Sequence, residues 1–322
     1  MILGIESTAH TFGVGIVHKG KILANVRDMF HTESGGIVPV EAAKHHREIA
    51  DSLYAKALHE AGISEKKINA IAFSQGPGLS PCLLAGRDFA QKLALRLSVP
   101  LIPVNHCIAH LEIGQSVGAK DPVLLYTSGA NTQIIAYSEG KYRVFGETLD
   151  IGIGNMLDKS ARVAGYGFPG GPRIEEAAKS GKYLELPYSI KGMDVSFSGM
   201  QTKFKQLYEK GEKFENLSFS LQETAFAMLV EAAERALAHT EKKELVLGGG
   251  VACNTRFREM CIKMCKARGA KFFCPEKSLL VDNGAMIAYT GEIMFNNGIS
   301  INPEEADILP RQRTDDVEVS WK

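Results

Sequence analysis

Charge of either sign in excess is missing from this sequence: 37 lysines and arginines stand against 37 aspartates and glutamates over 322 residues. A global basic field of the kind that draws in nucleic acid is excluded, so any RNA contact must use a local patch or a partner's charge. Long apolar runs are missing too, and nothing approaches the roughly eighteen residues that a membrane helix needs. Met1-Ile2-Leu3-Gly4-Ile5-Glu6 reads as a buried strand with no basic region before it, so the expectation is a soluble, cytoplasmic chain with no membrane contact. The six cysteines, Cys82, Cys107, Cys253, Cys261, Cys265 and Cys274, form no C-x-x-C pair and no regular framework. That excludes a disulfide scaffold and reads as reduced structural thiols. No linker or low-complexity tract interrupts the chain, and a 45% hydrophobic share supplies a core for two α/β domains or one large one.

Two further absences concern chemistry. No Ser/His/Asp set is evident, so no residue is assigned as a covalent nucleophile. The zincin pattern H-E-x-x-H is not met either, because Cys107 stands where its glutamate base would be. What is present is His106-Cys107-Ile108-Ala109-His110, with two imidazoles four residues apart that share one face of a helix and can chelate one ion. The pair follows a strand-like Leu101-Ile102-Pro103-Val104, which places it at the top of a sheet, where α/β proteins build sites. Two ligands are too few, and Asp282 in Val281-Asp282-Asn283-Gly284-Ala285 is the best further oxygen donor.

The chain also repeats itself. Ile2 to Ile5, a polar stretch Glu6 to Thr11, a second strand Phe12 to Val17 and a Gly-Lys turn recur as Leu124 to Thr127, Ser128 to Thr132, Gln133 to Tyr137 and Glu139-Gly140-Lys141. Thr132 lies 121 residues after Thr11, the signature of duplicated domains. The first polar turn, with Ser7, Thr8 and Thr11, reads as a possible phosphate loop. Each half continues into a helix (about 40–61 and 217–240), a strand (68–74 and 244–247), glycines (Gly76 and Gly78; Gly248 to Gly250) and another helix (about 81–97 and 254–267). A strand running through glycines into a helix N-terminus offers backbone N–H groups to anions, and the paired arrangement predicts a nucleotide cleft. The expected division is residues 1–122 plus about 300–322 against 123–299. Phe168-Pro169-Gly170-Gly171-Pro172 reads as a rigid turn into a helix whose first turn holds Glu175, which either complements the helix dipole or meets ribose hydroxyls. Lys44, Arg47 and Lys203 are candidate local basic groups.

Taken together these residues resemble the tRNA N6-adenosine threonylcarbamoyltransferases, the TsaD/OSGEP group that is the catalytic subunit of archaeal and eukaryotic KEOPS. The resemblance runs nearly end to end, through Ser74-Gln75-Gly76-Pro77-Gly78, Pro103 to His110, Phe145-Gly146-Glu147-Thr148-Leu149-Asp150, Phe168 to Pro172, Phe197-Ser198-Gly199 and Asp282 to Tyr289, and the archaeal branch is nearest. It implies a duplicated ribonuclease-H-like fold of the ASKHA (actin, Hsp70, sugar kinase) class with an interdomain nucleotide and metal cleft. It implies one transition metal, iron first and zinc second, on His106, His110 and Asp282 with Tyr126 added. It implies transfer of threonylcarbamoyl from threonylcarbamoyl-AMP to N6 of adenosine 37 in ANN-decoding tRNA. Tyr126, Thr127, Ser128, Gly129 and Ala130 would line the carbamoyl-adenylate, Asp158, Gly171 and Glu175 its ribose, and Asn254 its nucleoside. The implied partners are tRNA, a small kinase-like subunit and other KEOPS components. Ser7, Ala130 and Ala252 stand where the family often has glycine. Two other readings compete: a small-molecule kinase of the same fold, which would want a catalytic acid for a hydroxyl acceptor, and a metallopeptidase, which would need a glutamate base beside the ligands.

Overall fold

The computed structural model describes residues 1–31 and 37–322. In chain order the elements are β1 Ile2–Glu6, β2 Thr11–His18, β3 Lys21–Met29, α1 Pro39–Ala61, β4 Ala70–Gly76, α2 Ser80–Leu97, β5 Leu101–Asn105 and α3 His106–Glu112. Then come β6 Val123–Thr127, β7 Thr132–Ser138, β8 Lys141–Glu147, α4 Ile153–Val163, α5 Gly171–Ala178, β9 Ile190–Lys191, β10 Asp194–Val195, α6 Ser198–Glu209 and α7 Phe214–His239. The chain closes with β11 Glu244–Gly248, α8 Thr255–Arg268, β12 Lys271–Phe273, α9 Lys277–Leu280 and α10 Gly284–Asn296. The strand expected at 68–74 begins two residues later, because Ile68 still closes a short 3-10 turn, its N–H donating to Glu65 O.

Two five-stranded sheets share one plan. The first has the order β3-β2-β1-β4-β5 and the second the mirror listing of the same connectivity, β8-β7-β6-β11-β12. In each, an antiparallel hairpin pairs with the first strand, and two further strands join parallel to it. The duplication read from the sequence is therefore a duplication of topology. β1 and β4 are buried on both faces, as strands between helical layers must be, and so read as continuous apolar runs rather than alternating ones.

Helix α10 shows why the first sheet needs its glycines. A Cβ built at Gly4 or Gly15 would overlap the backbone of Ala288 or Ala285, so only glycine lets the helix lie this close to β1 and β2. Gly284 and Gly291 make α10 a poor helix by propensity. Packing compensates: Met286 and Ile287 are completely buried, worth about 1.5–3 kcal/mol each. The consequence for the site is that the residues just before α10, Asp282 and Asn283, are delivered to the end of β1.

The chain forms two compact units, residues 1–117 with 139–142 and 275–322, and residues 118–138 with 143–274. The second boundary thus falls near 275 rather than near 300. Residues 275–299 go with the first unit because α10 packs on β1 and β2, burying Ala285, Met286, Ile287 and Ala288 in one cluster with Ile2, Val17, Ala72 and Val104. Among the described residues no helix is long and apolar enough to cross a membrane.

Candidate functional site

β5 ends at Asn105, whose side-chain oxygen accepts from the Cys107 and Ile108 N–H groups at 3.0 and 3.1 Å and so starts α3. Capping of this kind satisfies orphan donors and is worth about 1 kcal/mol. It makes His106 the first helical residue and sets His110 one turn on. Their rings stand edge to face, 4.8 Å between centroids and 82° apart. Asp282 is fixed from the other side. Asn283 caps α10 by accepting from Met286 N at 3.0 Å, while its amide donates to Val281 O at 2.7 Å.

These two devices bring His106, His110 and Asp282 together, with donor atoms all within 4.8 Å of one another. Asp282 Oδ1 lies 3.4 Å from His106 Nε2 and 3.5 Å from His110 Nε2. Ligands bound to one transition-metal ion at about 2.0–2.1 Å in tetrahedral array stand about 3.3 Å apart, close to the separation of Asp282 from each imidazole. Burial pushes the His110 imidazole below its ordinary pKa, against the opposing pull of Asp282. Burial by itself would raise the Asp282 carboxyl, but the neighbouring imidazoles outweigh it and hold the group well below the usual carboxylate range. A neutral imidazole beside an ionised carboxylate is the protonation state a metal requires. Burial likewise raises the Cys107 thiol, which keeps it protonated and away from ligation.

Glu6, a residue whose role the sequence reading missed, completes the arrangement. Its carboxylate is fully buried at the end of β1 and lies 3.0 Å from His106 Nδ1. It also accepts from Thr8 N at 2.7 Å and Thr8 Oγ1 at 2.5 Å. A carboxylate that only accepts would place the proton of a neutral His106 on Nδ1 and turn Nε2 toward Asp282. The signal was available: a charged residue ends a strand whose every position is buried. The same contacts change the reading of the first polar turn. Ser7, Thr8 and Thr11 are buried, and the Ser7 N–H donates to Ser74 Oγ at 3.0 Å and the Thr8 N–H to Glu6, so these two backbone donors serve the scaffold.

The second unit holds the expected adenylate residues. Tyr126 and Thr127 are buried at the end of β6, Ser128 is half-buried, and Gly129 and Ala130 are exposed. Their turn is locked by Ser128 N donating to Asn131 O at 2.8 Å and Asn131 N donating to Ser128 Oγ at 3.0 Å. The first turn of α4 docks on it, Gly154 N to Ser128 O at 3.1 Å and Asn155 N to Gly129 O at 2.9 Å. Gly249, at φ +87°, lets the β11 end pass against Thr127 without a side chain. The methyl of Ala130 is exposed, so alanine is accommodated where glycine was expected.

Asp158 accepts from Gly170 N at 2.7 Å, fixing the turn into α5, and no neighbouring atom would obstruct a Cβ at Gly171. Helix α5 begins at Gly171, so Glu175 lies in its second turn and not its first. Its carboxylate accepts from Thr255 N at 2.8 Å. That placement removes the dipole explanation at α5 and sets Glu175 at the α8 N-terminus, one residue from Asn254. Asn254 caps α8 by accepting from Phe257 N at 3.0 Å, and its amide donates to Gln222 at 2.8 Å. Asp158, Gly171, Glu175 and Asn254 are thus linked through two short contacts within the unit.

A duplicated sheet plan with glycine turns at the strand ends places the chain in the ASKHA fold class. It is similar to HypF in its phosphate- and nucleotide-bound form, with a TM-score of 0.62 and 13% identity, covering 91% of this chain and 55% of that one, a likeness of fold alone. The family follows from sequence. The model of TsaD, tRNA N6-adenosine threonylcarbamoyltransferase, matches residues 21–289. The tRNA N6-adenosine threonylcarbamoyltransferase of Thermococcus sibiricus is 56% identical over 321 residues, 99% of each chain. A probable bifunctional tRNA threonylcarbamoyladenosine biosynthesis protein of Methanosarcina mazei is 56% identical over 325 residues, 99% of this chain and 59% of that protein. The chain belongs to the tRNA N6-adenosine threonylcarbamoyltransferase family.

Proposed function

We propose that this chain transfers the threonylcarbamoyl group from threonylcarbamoyl-AMP to N6 of adenosine 37 in ANN-decoding tRNA. The bond formed joins N6 to the carbamoyl carbon, the bond broken joins that carbon to the phosphate oxygen, AMP leaves, and N6 gives up one proton. The observation that carries the reading is the convergence of His106, His110 and Asp282 in a chain 56% identical to a named transferase of this reaction. The carbamoyl phosphate anhydride is already activated, so the protein's work is to orient it and stabilise developing charge. Glu6 supports this by keeping the His106 proton on Nδ1. The donor set suits iron, our first choice, or zinc. Such an ion supplies Lewis-acid polarisation and a template for oxygen ligands.

We assign the ribose of the adenylate to Asp158, Gly171 and Glu175, the nucleoside to Asn254, and the acyl-phosphate to Tyr126 through Ala130. The kinase reading is not favoured: a kinase of this fold has no use for a histidine pair beside a carboxylate. The peptidase reading fails on Cys107, a buried thiol in the place of the base. With no net charge, the chain should bind tRNA weakly by itself, and we infer a working complex with a small kinase-like subunit and other KEOPS components. The test is incubation with threonylcarbamoyl-AMP and unmodified tRNA at near-physiological salt, alone and with those subunits. Modified adenosine in the complete reaction is expected. Its absence under every combination would overturn the assignment, and full activity with tight tRNA binding by the chain alone would overturn the partner requirement.

A further inference from the structure

Helix α3 has seven residues, less than two turns. Helices this short do not hold together in water by themselves, so its orientation must be imposed from outside. The Asn105 cap secures one end. The rest of the support comes from the last segment of the chain. Leu309 N donates to Gln75 O at 2.8 Å and Gly78 N to Pro310 O at 3.1 Å, which pins the start of that segment at the end of β4. From there it runs along α3. Asn105 Nδ2 donates to Gln312 Oε1 at 3.0 Å, before the first turn. The side chain of buried Thr314 lies beside the Cys107 thiol, one residue from His106. At the far end the buried carboxylate of Glu112 accepts from Trp321 Nε1 at 3.0 Å, and also from the Tyr142 hydroxyl and the Gln115 amide.

Between these ties the segment is not close-packed. A cavity of about 330 Å³ lies under it, lined by Ile108, Thr290, Met294, Val317, Ser320 and Trp321 among others. Close-packed interiors leave few voids larger than a water molecule, so the polar ties, together with Trp321 packed on the cluster under α10, hold the segment across the cavity.

We propose that residues 309–322 form a strap that positions the ligand helix: Gln312, Thr314 and Trp321 fix both ends of α3 so that His106 and His110 face Asp282. The strap rests on the reading of these three residues as a metal site. Gln312 and Trp321 act through Asn105 and Glu112, at the two ends of α3, so they are positioning residues. Anything that lifts the segment loosens the donor geometry from a distance, much as removing an outer-shell partner does.

The test uses the full chain with Gln312→Ala, Thr314→Val and Trp321→Phe combined, and Trp321→Phe alone in case the triple variant folds poorly. Zn(II) affinity is measured by chelator competition, the Co(II) absorption spectrum reports coordination geometry, and amide hydrogen exchange follows 106–112 in metal-free protein. The expected result is Zn(II) binding weakened about 10- to 100-fold, the outer-shell range, an altered Co(II) spectrum, and faster exchange in α3 with α8 unchanged. Thr314→Ser, which keeps the hydroxyl, should retain the parental affinity and spectrum. Parental affinity, spectrum and exchange in the triple variant would overturn the strap. If the parent itself binds no Zn(II) or Co(II), the metal reading falls instead, and exchange in α3 still decides the strap.

Discussion

The two sheets have the same connectivity and opposite habits. At the end of β1 stands Glu6, and 121 residues on, at the end of β6, stands Thr127. Glu6 turns its carboxylate onto His106, whereas Thr127 donates its hydroxyl to Gly248 O at 3.1 Å within its own sheet. The loops that follow diverge in step. Ser7 and Thr8 are buried and bonded inward, while Gly129 and Ala130 are exposed. One copy of the plan ends in a buried carboxylate set against a histidine, the other in an exposed backbone turn. A shared topology therefore says where a site is built and leaves its chemistry to a handful of residues at strand ends.

The sharpest way to break that comparison is to empty the first copy. Replacing His106 and His110 together by alanine should reduce bound metal to background by elemental analysis, since Asp282 alone cannot retain an ion. Stoichiometric metal in that variant would mean that the ligands lie elsewhere.

A large effect on stability should come from His46. It is fully buried, its Nε2 bonds Ala9 O at 3.0 Å in the first loop, and burial lowers its pKa to about 4. Above pH 6.5 the ring is neutral in both folded and unfolded chains, and stability is at its full value. As pH falls from 6.5 toward 4 the unfolded chain takes up a proton that the folded chain refuses, so stability drops by about 3 kcal/mol. Urea unfolding across that range should show the loss in the parent and much less of it in His46→Gln, whose ring proton uptake is gone.

Glu6→Gln sharpens the division of labour between the copies. It should weaken Zn(II) affinity about 10- to 100-fold by releasing the His106 tautomer, with adenine-nucleotide affinity untouched. Equal Zn(II) binding in parent and variant would reduce Glu6 to a structural role. The complementary cut is Glu175→Ala, which should weaken adenine-nucleotide binding by about 1–3 kcal/mol if its carboxylate meets buried ribose hydroxyls, with metal content unchanged. Calorimetry giving the parental affinity would move the ribose away from α5.

What the sequence disclosed divides along the same line. His106 and His110 were legible because helical spacing is local, and the duplicated hairpins because a 121-residue offset can be counted. Glu6 was passed over because its partner sits a hundred residues away, and no spacing rule connects a strand end to a helix start. Glu175 was placed in the wrong turn because Gly171 and Pro172 look like a loop; they are the first residues of α5. The boundary near 275 was hidden because α10 belongs to the first unit by three-dimensional packing on Gly4 and Gly15, which the linear order does not reveal. Gln312, Thr314 and Trp321 sit in a stretch with no periodicity, so nothing local marks their hold on α3.

The glycine contact between α10 and the first two strands also sets an order of events during synthesis. Residues 1–117 leave the ribosome with one face of their sheet, including Ile2, Val17, Ala72 and Val104, lacking the helix that covers it in the finished protein. That helix, and Asp282 with it, arrives only after the whole second unit has been made. Until then a sticky apolar face is open to other chains, and such long-range closure is slow and prone to aggregation. Chaperone demand in the cell should fall on this waiting sheet.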